Sequence, residues 1–398
     1  MKILYICHRF PYPPASGAKI RSFHMIRHLH EQGHEVVLAT IYRSDEEREA
    51  GAGMETYCSR MITAQVSKVP AVVRMLSRLP TPVPSSMGFF YSPTLHRLLR
   101  EELSGEPRPD LIIVHCSSVA HYVADIDDVP KILDFADMDS QKWLAYASYH
   151  RFPRNLGYWL EGSKMERAER RLAPRFELST CTTPEETATL DGFETGARTD
   201  WFVNGVDTEY FSPMEETDRH QICFVGRMDY YPNIQAMVNF CAEVWPALKE
   251  RYPQLQLAIV GAEPTADVRK LAALEGVEVT GSVPDVRPWV GRSRLSVAPL
   301  TIARGTQNKL LESMAMGVPV VCSAIAARGV DVEVGKHLLV ADTPEDYLDQ
   351  VGLLLESDER HEALSIAGRK RVLSHHTWDT AMKRFDELVG ETVNSRRT

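Results

Sequence analysis

A polar bend between two apolar runs contains the residues of this sequence that are best suited to hold an anion. The runs 295–300 and 318–322 have the length and composition of buried strands. The bend and the segment after it carry, in order, Arg304, Gly305, Thr306, Gln307, Asn308, Lys309 and Glu312. We predict a strand, a turn, a helix that begins at Asn308 and Lys309, and a second strand, which is the pattern of a parallel α/β unit.

The chemistry expected of this bend follows from the start of its helix. A helix N-terminus presents unpaired N–H groups and a partial positive charge, so it can receive a phosphate. Lys309 adds a mobile full charge beside those donors, and Glu312, one turn further along, can accept hydrogen bonds from neutral hydroxyl groups. A place that takes phosphates and sugar hydroxyls together is predicted to bind a nucleotide sugar.

Composition limits the class of protein that carries this bend. The chain has 398 residues, of which 44% are apolar and 25% charged, and this predicts a globular protein of two or three domains. The net charge of −9 argues against a protein that binds nucleic acid. The seven cysteines form no CxxC pair and lie mostly in apolar runs, so we expect buried, reduced thiols and a cytoplasmic location.

The sequence also bears on membranes. It opens without a signal peptide and has no apolar run approaching the ~20 residues that cross a bilayer. We therefore expect a protein that is at most peripheral, on the inner face of the plasma membrane. Residues 60–104 are less regular, and within them 68–79 would be basic on one side and apolar on the other if helical. This predicts either surface helices packed on a sheet or contact with an anionic membrane.

The rest of the chain consists of two series of strands and helices. The first series opens with a strand at 2–7, a proline-rich loop, a helix and a strand at 34–40. Further strands are predicted at 109–115, 129–135, 176–182 and 199–203, and then at 221–226, 255–260, 277–280, 295–299 and 318–322. The fold class is therefore α/β, with two Rossmann-like, doubly wound domains facing one another across a cleft.

We place the domain boundary in a polar acidic segment, 214–220, that follows the turn-forming residues Asn204 and Asp207. The N-terminal domain is predicted to span residues 1–212 and the C-terminal domain 213–375. A last amphipathic helix, within 376–398, is predicted to pack back on the N-terminal domain.

Six short motifs in register carry a resemblance to a known family. They lie at 33–36, 109–115, 204–207, 225–227, 281–285 and 310–321. In this order they resemble the retaining glycosyltransferases of family 4, which have the GT-B fold of two Rossmann-like domains. Residues 134–143 are also similar to sugar transferases associated with bacterial exopolysaccharide gene clusters.

The resemblance implies an enzyme that moves a sugar from a UDP- or GDP-sugar to a saccharide or lipid-linked saccharide. The donor would bind the second domain and the acceptor the first, with no cofactor, no metal and no nucleic acid. The residues predicted to contact the donor are Gly17, Gly226, Arg227, Arg304, Gly305, Thr306, Gln307, Asn308, Lys309 and Glu312. Arg227, Lys309 and Glu312 are also predicted to be catalytic, together with Asp137, which would bind hydroxyls of the donor sugar or the acceptor.

These roles follow from the chemistry of the leaving group. Positive groups stabilise the charge that develops on the departing phosphate, and Gly17 would let the backbone approach the β-phosphate. With one enzyme carboxylate nearby, retention suggests front-face attack assisted by the leaving phosphate.

The sequence departs from the family pattern at three places. The family's Glu-x7-Glu motif falls on positions 304 and 312, so Arg304 replaces the first glutamate and is predicted to face phosphate. Arg227 matches the arginine of an Arg–Lys phosphate pair, but the lysine position falls near 232–233, and Lys309 is the predicted replacement. Asp137 stands in the loop where family members often have histidine.

Several alternatives stay open on the sequence alone. Glu312 could have no role beyond stabilising the dipole of its own helix. Asp137 could have no role beyond capping a helix. The chain could be a GT-B sugar-nucleotide epimerase, a phosphorylase, or a catalytically silent nucleotide-sugar-binding partner, the last suggested by Arg304. An NAD-dependent dehydrogenase fits less well, because a proline loop and not GxGxxG follows the first strand.

Overall fold

The computed structural model describes residues 1–14, 17–214 and 221–395, which form two compact units. Unit 1 comprises Met1–Phe202 and the chain from Met382 onward, and unit 2 comprises Val203–Ala381. Most of the predicted linker, 215–220, lies outside the described residues, as do 15–16 in the first loop and 396–398 at the end of the last predicted helix.

Unit 1 contains a parallel sheet of seven strands within the described ranges. The strands are β1 (Lys2–Cys7), β2 (Glu35–Tyr42), β3 (Arg60–Gln65), β4 (Leu111–His115), β5 (Lys131–Ala136), β6 (Leu178–Cys181) and β7 (Thr199–Trp201). Their order is β3-β2-β1-β4-β5-β6-β7. The order reverses between β1 and β4, so the carboxyl ends of these two strands mark the switch point where such sheets bind ligands.

The sheet of unit 2 repeats this plan. Its six described strands are β8 (Gln221–Val225), β9 (Gln256–Val260), β10 (Val277–Gly281), β11 (Ser293–Ala298), β12 (Val320–Cys322) and β13 (Leu339–Val340). They are parallel, in the order β10-β9-β8-β11-β12-β13. Here the switch point lies between β8 and β11, and the predicted polar bend follows the carboxyl end of β11.

Helices connect the strands of both sheets. Those of unit 1 are α1 (Gly17–Glu31), α2 (Asp45–Gly51), α3 (Lys68–Ser77), α4 (Ser85–Phe90), α5 (Pro93–Ser104), α6 (Ser117–Ala120), α7 (Asp139–Tyr149), α8 (Arg154–Leu172) and α9 (Pro184–Asp191). Those of unit 2 are α10 (Tyr231–Glu243), α11 (Trp245–Arg251), α12 (Ala266–Lys270), α13 (Arg287–Gly291), α14 (Asn308–Ala315), α15 (Ala324–Ala327), α16 (Pro344–Glu356) and α17 (Asp358–His375). The last helix, α18 (Trp378–Asn394), begins in unit 2 and continues in unit 1.

The α/β class and the two doubly wound sheets are confirmed. The central strands were predictable because they are buried on both faces and read as continuous apolar runs. Two strands were missed. β3 alternates in burial, and β13 has only two residues, too short to give any pattern.

Part of α18 packs on unit 1. The Phe385 ring lies 5.4 Å from that of Phe202, His28 Nε2 lies 2.8 Å from a carboxylate oxygen of Asp386, and Arg384 donates to Asp200 at 2.7 Å. The start of α18 contacts the predicted turn at 204–207, because a Cβ on Gly205 would lie 2.4 Å from the Trp378 amide nitrogen. None of the described helices has the length and apolar composition needed to cross a membrane.

Candidate functional site

The polar bend of unit 2 forms a helix start with uncapped amides. β11 ends at Ala298 and α14 begins at Asn308, as predicted. The N-cap residue, Gln307, makes no capping hydrogen bond with its side chain. Its amide instead donates to the carbonyl oxygen of Arg304 at 3.0 Å, which closes the bend. The first N–H groups of α14 therefore receive no side-chain cap and can serve an anion.

Lys309 extends from this helix to the carboxyl end of β8. Its Nζ lies 2.6 Å from Asn233 Oδ1 and 4.3 Å from the centre of the Phe224 ring. Asn233 in turn donates to the carbonyl oxygen of Arg227 at 2.9 Å. A Cβ on Gly226 would lie 3.2 Å from Lys309 Nζ. The structure thus brings Gly226 and Lys309 together, 83 residues apart in sequence.

Burial shifts the pKa values of Lys309 and Glu312 in opposite directions. Burial lowers the pKa of Lys309 to about 7, and the nearby Glu312 charge opposes this change. Burial likewise raises the pKa of Glu312 to about 7, opposed by Lys309. A phosphate beside Lys309 would favour the charged ammonium and raise the pKa of Lys309 again.

Two polar atoms beside Lys309 are buried without a protein partner. Thr306 Oγ1 and Asn308 Oδ1 make no hydrogen bond within the described residues. A buried polar atom without a partner costs about 1–3 kcal/mol, so such atoms need an explanation. Both belong to the bend, where a bound ligand could provide the missing hydrogen bonds.

Close backbone contacts hold the loops of the site in place. A Cβ on Gly261 would lie 1.8 Å from the carbonyl oxygen of Gly226, and one on Gly329 would lie 2.2 Å from that of Gly305. Gly305 itself has φ of +60°. Gly261 and Gly329 therefore admit only glycine without movement of the backbone, and the φ of Gly305 favours glycine.

Arg227 lies at the same strand end but is bonded to acidic side chains. It donates to Asp229 at 2.8 Å and also pairs with Glu263. Its side chain is half exposed. A phosphate would have to compete with these two carboxylates for the guanidinium group.

The remaining predicted residues, Asp137 and Gly17, belong to unit 1. Asp137 follows β5 and accepts a hydrogen bond from Thr182 Oγ1 at 2.7 Å, and burial raises its pKa. Gly17 is the first residue of α1, and a Cβ there would meet nothing within 4 Å. No packing requirement within the described chain therefore explains the choice of glycine at this position.

Unit 1 also contains a buried polar cluster that sequence reasoning missed. Asp134, at 0% exposure, accepts from Arg21 Nε at 2.9 Å and from Thr180 at 2.9 Å, and lies 2.7 Å from His115 Nδ1. Burial alone would raise the pKa of Asp134, but Arg21 and His115 outweigh it and hold that pKa well below its usual range. The ionised carboxylate accepts a hydrogen bond from Nδ1–H of His115.

Asn233 was the other residue that the sequence did not assign. A signal existed, because positions 232–233 are where the family pattern expects its lysine. The structure shows that this position and the predicted replacement, Lys309, are in contact. In the described part of the chain, no three His, Cys, Asp or Glu side chains are grouped as metal ligands.

Two family models match this chain. Residues 15–210 match the model described as Glycosyltransferase Family 4, and residues 219–357 match that described as Glycosyl transferases group 1. Together the two models take in most of the chain and both of its sheets. The chain belongs to family 4 of the glycosyltransferases.

Solved structures show how far the fold of this family 4 chain is shared. The chain is similar to sucrose-phosphate synthase from Thermosynechococcus elongatus, with a TM-score of 0.74 and 16% identity over 99% of this chain and 100% of that one. It is also similar to Anabaena HepE in complex with UDP, with a TM-score of 0.70 and 13% identity over 98% and 100% of the two chains. HepE has also been solved in complex with UDP-glucose. The fold is the GT-B fold.

One curated relative matches over a shorter stretch. It is the phosphatidyl-myo-inositol mannosyltransferase of Propionibacterium freudenreichii subsp. shermanii, 31% identical over 108 residues. The matched stretch covers 27% of this family 4 chain and 26% of that protein.

Proposed function

We propose that the protein is a retaining glycosyltransferase that moves a sugar from a nucleotide-diphosphate-sugar to a saccharide or lipid-linked saccharide. The observation that carries this proposal is the uncapped start of α14, with Lys309 beside it and two unpartnered buried polar atoms in the same bend. Such a place suits a pyrophosphate. The complexes of HepE with UDP and UDP-glucose support UDP as the nucleotide.

The proposed roles follow from the charges. The amides of Thr306, Gln307 and Asn308 and the ammonium of Lys309 would stabilise the charge that develops on the leaving phosphate. Glu312 would accept hydrogen bonds from the ribose hydroxyls. We propose that these groups act without a metal, and undiminished transfer in the presence of EDTA is the expected result.

Arg227 and Arg304 complete the donor site in this proposal. Arg227 would leave Asp229 and Glu263 for a phosphate oxygen, and Arg304, in place of the family's first glutamate, would face the phosphates. Substituting Arg304→Ala should weaken binding of UDP more than binding of uridine. Equal losses for the two ligands would count against a phosphate contact.

Unit 2 is proposed to bind the donor and unit 1 the acceptor, with Asp137 on sugar hydroxyls. The name of the curated mannosyltransferase, whose acceptor is a phosphatidylinositol, supports a lipid-linked acceptor. Exopolysaccharide or cell-surface glycan synthesis, on the cytoplasmic face of a membrane, is the proposed setting. Helix α3, within the predicted membrane segment 60–104, supports peripheral contact because Val69 and Val73 are 74% and 61% exposed.

The proposal is tested by calorimetric titration with UDP-glucose and GDP-mannose. Lys309→Met and Glu312→Gln should each weaken binding of the preferred donor by about tenfold or more, the effect of losing one charged hydrogen bond. Lys270→Met is the matched control, because Lys270 is an exposed lysine of unit 2 that pairs with Asp267. Wild-type affinity in both site variants would place the donor elsewhere.

Product analysis separates transfer from the rival activities. With labelled donor, a transferase needs an acceptor and yields a glycoside whose anomeric configuration, read by NMR, is retained. An epimerase would release an altered sugar from the donor alone. A protein that binds no nucleotide diphosphate in the titration would instead be a silent partner.

A further inference from the structure

Two stretches of unit 1 lack acidic residues. The chain has 54 Asp and Glu residues, yet none of them falls within residues 66–100 or 140–160. The basic residues Lys68, Arg74 and Arg78 lie in or beside α3, and Arg151 and Arg154 lie at the turn between α7 and α8. None of these five forms an ion pair within the described residues. Their positive charge is therefore not neutralised locally.

Large apolar side chains are exposed in the same two places. On α3, Val73 and Leu76 are 61% and 51% exposed and lie on the same face as Val69. In the α7–α8 hairpin, Phe152, Leu156 and Trp159 are 78%, 54% and 52% exposed. Exposed apolar side chains grouped in this way, with unpaired basic residues beside them, are typical of an interaction surface.

Hydrogen bonds from helix α8 connect the α7–α8 hairpin to α3 and α4. Lys164 of α8 donates to the carbonyl oxygens of Arg78 and Leu79 at 2.9 and 2.8 Å, at the C-terminal end of α3. One turn earlier, Glu161 accepts from the amides of Ser85 and Ser86, at the N-terminal end of α4. A cation thus meets a helix C-terminus and an anion meets a helix N-terminus, which is the favourable sense for both dipoles.

We propose that α3 and the α7–α8 hairpin form one docking surface for a bilayer with anionic headgroups. The inference rests on the membrane contact proposed above and adds the hairpin as its second half. The exposed apolar side chains would enter the boundary between headgroups and acyl chains, while the arginines contact lipid phosphates. The absence of acidic residues from both stretches favours an anionic lipid surface, because neither stretch carries a carboxylate that would repel lipid phosphates.

The test is co-sedimentation of the full chain with phosphatidylcholine vesicles, with and without phosphatidylglycerol. The wild type is expected to sediment with the anionic vesicles only. Phe152→Ser/Trp159→Ser and Val73→Ser/Leu76→Ser should each weaken sedimentation about tenfold or more, because each removes two apolar contacts. Ile366→Ser/Leu373→Ser is the matched control, since these residues of α17 are 61% and 44% exposed.

Two further measurements test the hairpin and the donor site independently. Trp159 emission should shift to the blue on anionic vesicles, and the shift should disappear from the difference spectrum in Trp159→Phe. UDP-glucose affinity without vesicles should be unchanged in the α3 and hairpin variants, because none of the substituted residues belongs to the proposed donor site. A change in that affinity would refute the separation of docking from donor binding.

The outcomes distinguish the claims. If the α3 variants fail to sediment and the hairpin variants behave as the wild type, the second half of the surface is wrong while the membrane contact stands. If neither pair has an effect, both claims are wrong. Reversible dimerisation that Phe152→Ser abolishes, without vesicle binding, would make the surface an interface between copies and overturn the proposal.

Discussion

Lys309 and Glu312 carry opposite charges, and burial brings the pKa of each to about 7. Binding of the donor is therefore predicted to have a pH optimum. Above about pH 7 Lys309 loses its proton and its attraction for phosphate, and below about pH 7 Glu312 gains a proton and becomes a weaker acceptor for ribose hydroxyls. Affinity for UDP-glucose should therefore be bell-shaped in pH. UDP-glucose is the suitable probe because its phosphates stay ionised across this range.

The two limbs of that profile can be assigned separately. Calorimetric titration between pH 5.5 and 8.5, a range of about three units around neutrality, should show that Lys309→Met removes the alkaline limb and Glu312→Gln the acid limb. A profile that keeps both limbs in both variants would mean that other groups control binding.

Gly17 offers a test in which stability and binding should separate. A Cβ at this position meets nothing within 4 Å, so Gly17→Ala should leave the unfolding midpoint unchanged or slightly higher. If the backbone at Gly17 approaches a phosphate, the same variant should weaken UDP-glucose binding about tenfold. Gly261→Ala should instead lower the unfolding midpoint, because its Cβ would lie 1.8 Å from the carbonyl oxygen of Gly226. Unaltered affinity in Gly17→Ala would remove Gly17 from the site.

Among the secondary-structure elements, α1 is attached to its sheet through a buried ion pair. Arg21 of α1 pairs with Asp134 of β5, donates to the carbonyl oxygen of Phe202 at 2.9 Å, and stacks 3.6 Å above the Phe202 ring. Arg21 therefore joins α1 to β5 and to Phe202, the residue that follows β7.

Removing one partner of this pair should be costly. Asp134→Asn would leave the Arg21 charge buried without a carboxylate, so the free energy of unfolding should fall by about 3–5 kcal/mol. Thr180→Val is the control, because it removes one hydrogen bond to the same carboxylate but no charge, at a smaller cost of about 1.5–3 kcal/mol. Urea unfolding would measure both. Similar losses for the two variants would show that the ion pair does not dominate the attachment of α1.

The elements also show why the sequence revealed some structure and not the rest. Helix α14 was predictable to its first residue because the bend before it is polar and the helix itself is amphipathic. The contact between Lys309 and Asn233 was not, because it depends on α10 and α14 starting beside the same strand end. The Arg21–Asp134–His115 cluster was unpredictable for the same reason, because its members come from three separate elements.

At the scale of the whole molecule, unit 1 is built from two separated parts of the chain. A protein that ends at Ala381 would lack the portion of α18 that contacts Phe202, His28 and Asp200. We expect this truncation to lower the unfolding temperature of unit 1 by several degrees or more and to leave unit 2 nearly unchanged. Limited proteolysis would show cleavage concentrated in residues 1–202. Equal sensitivity of both units would show that α18 does not stabilise unit 1 selectively.

The two-part construction of unit 1 has a consequence for how the protein is made. Unit 2 is contiguous in sequence and every one of its described strands precedes Met382, so a ribosome synthesises them before it reaches the part of α18 that belongs to unit 1. Nascent unit 2 can therefore complete its sheet while unit 1 still waits for Phe385 and its neighbours. Unit 1, whose strands are synthesised first, can then be completed only after unit 2. The half proposed to receive the sugar is the last to mature.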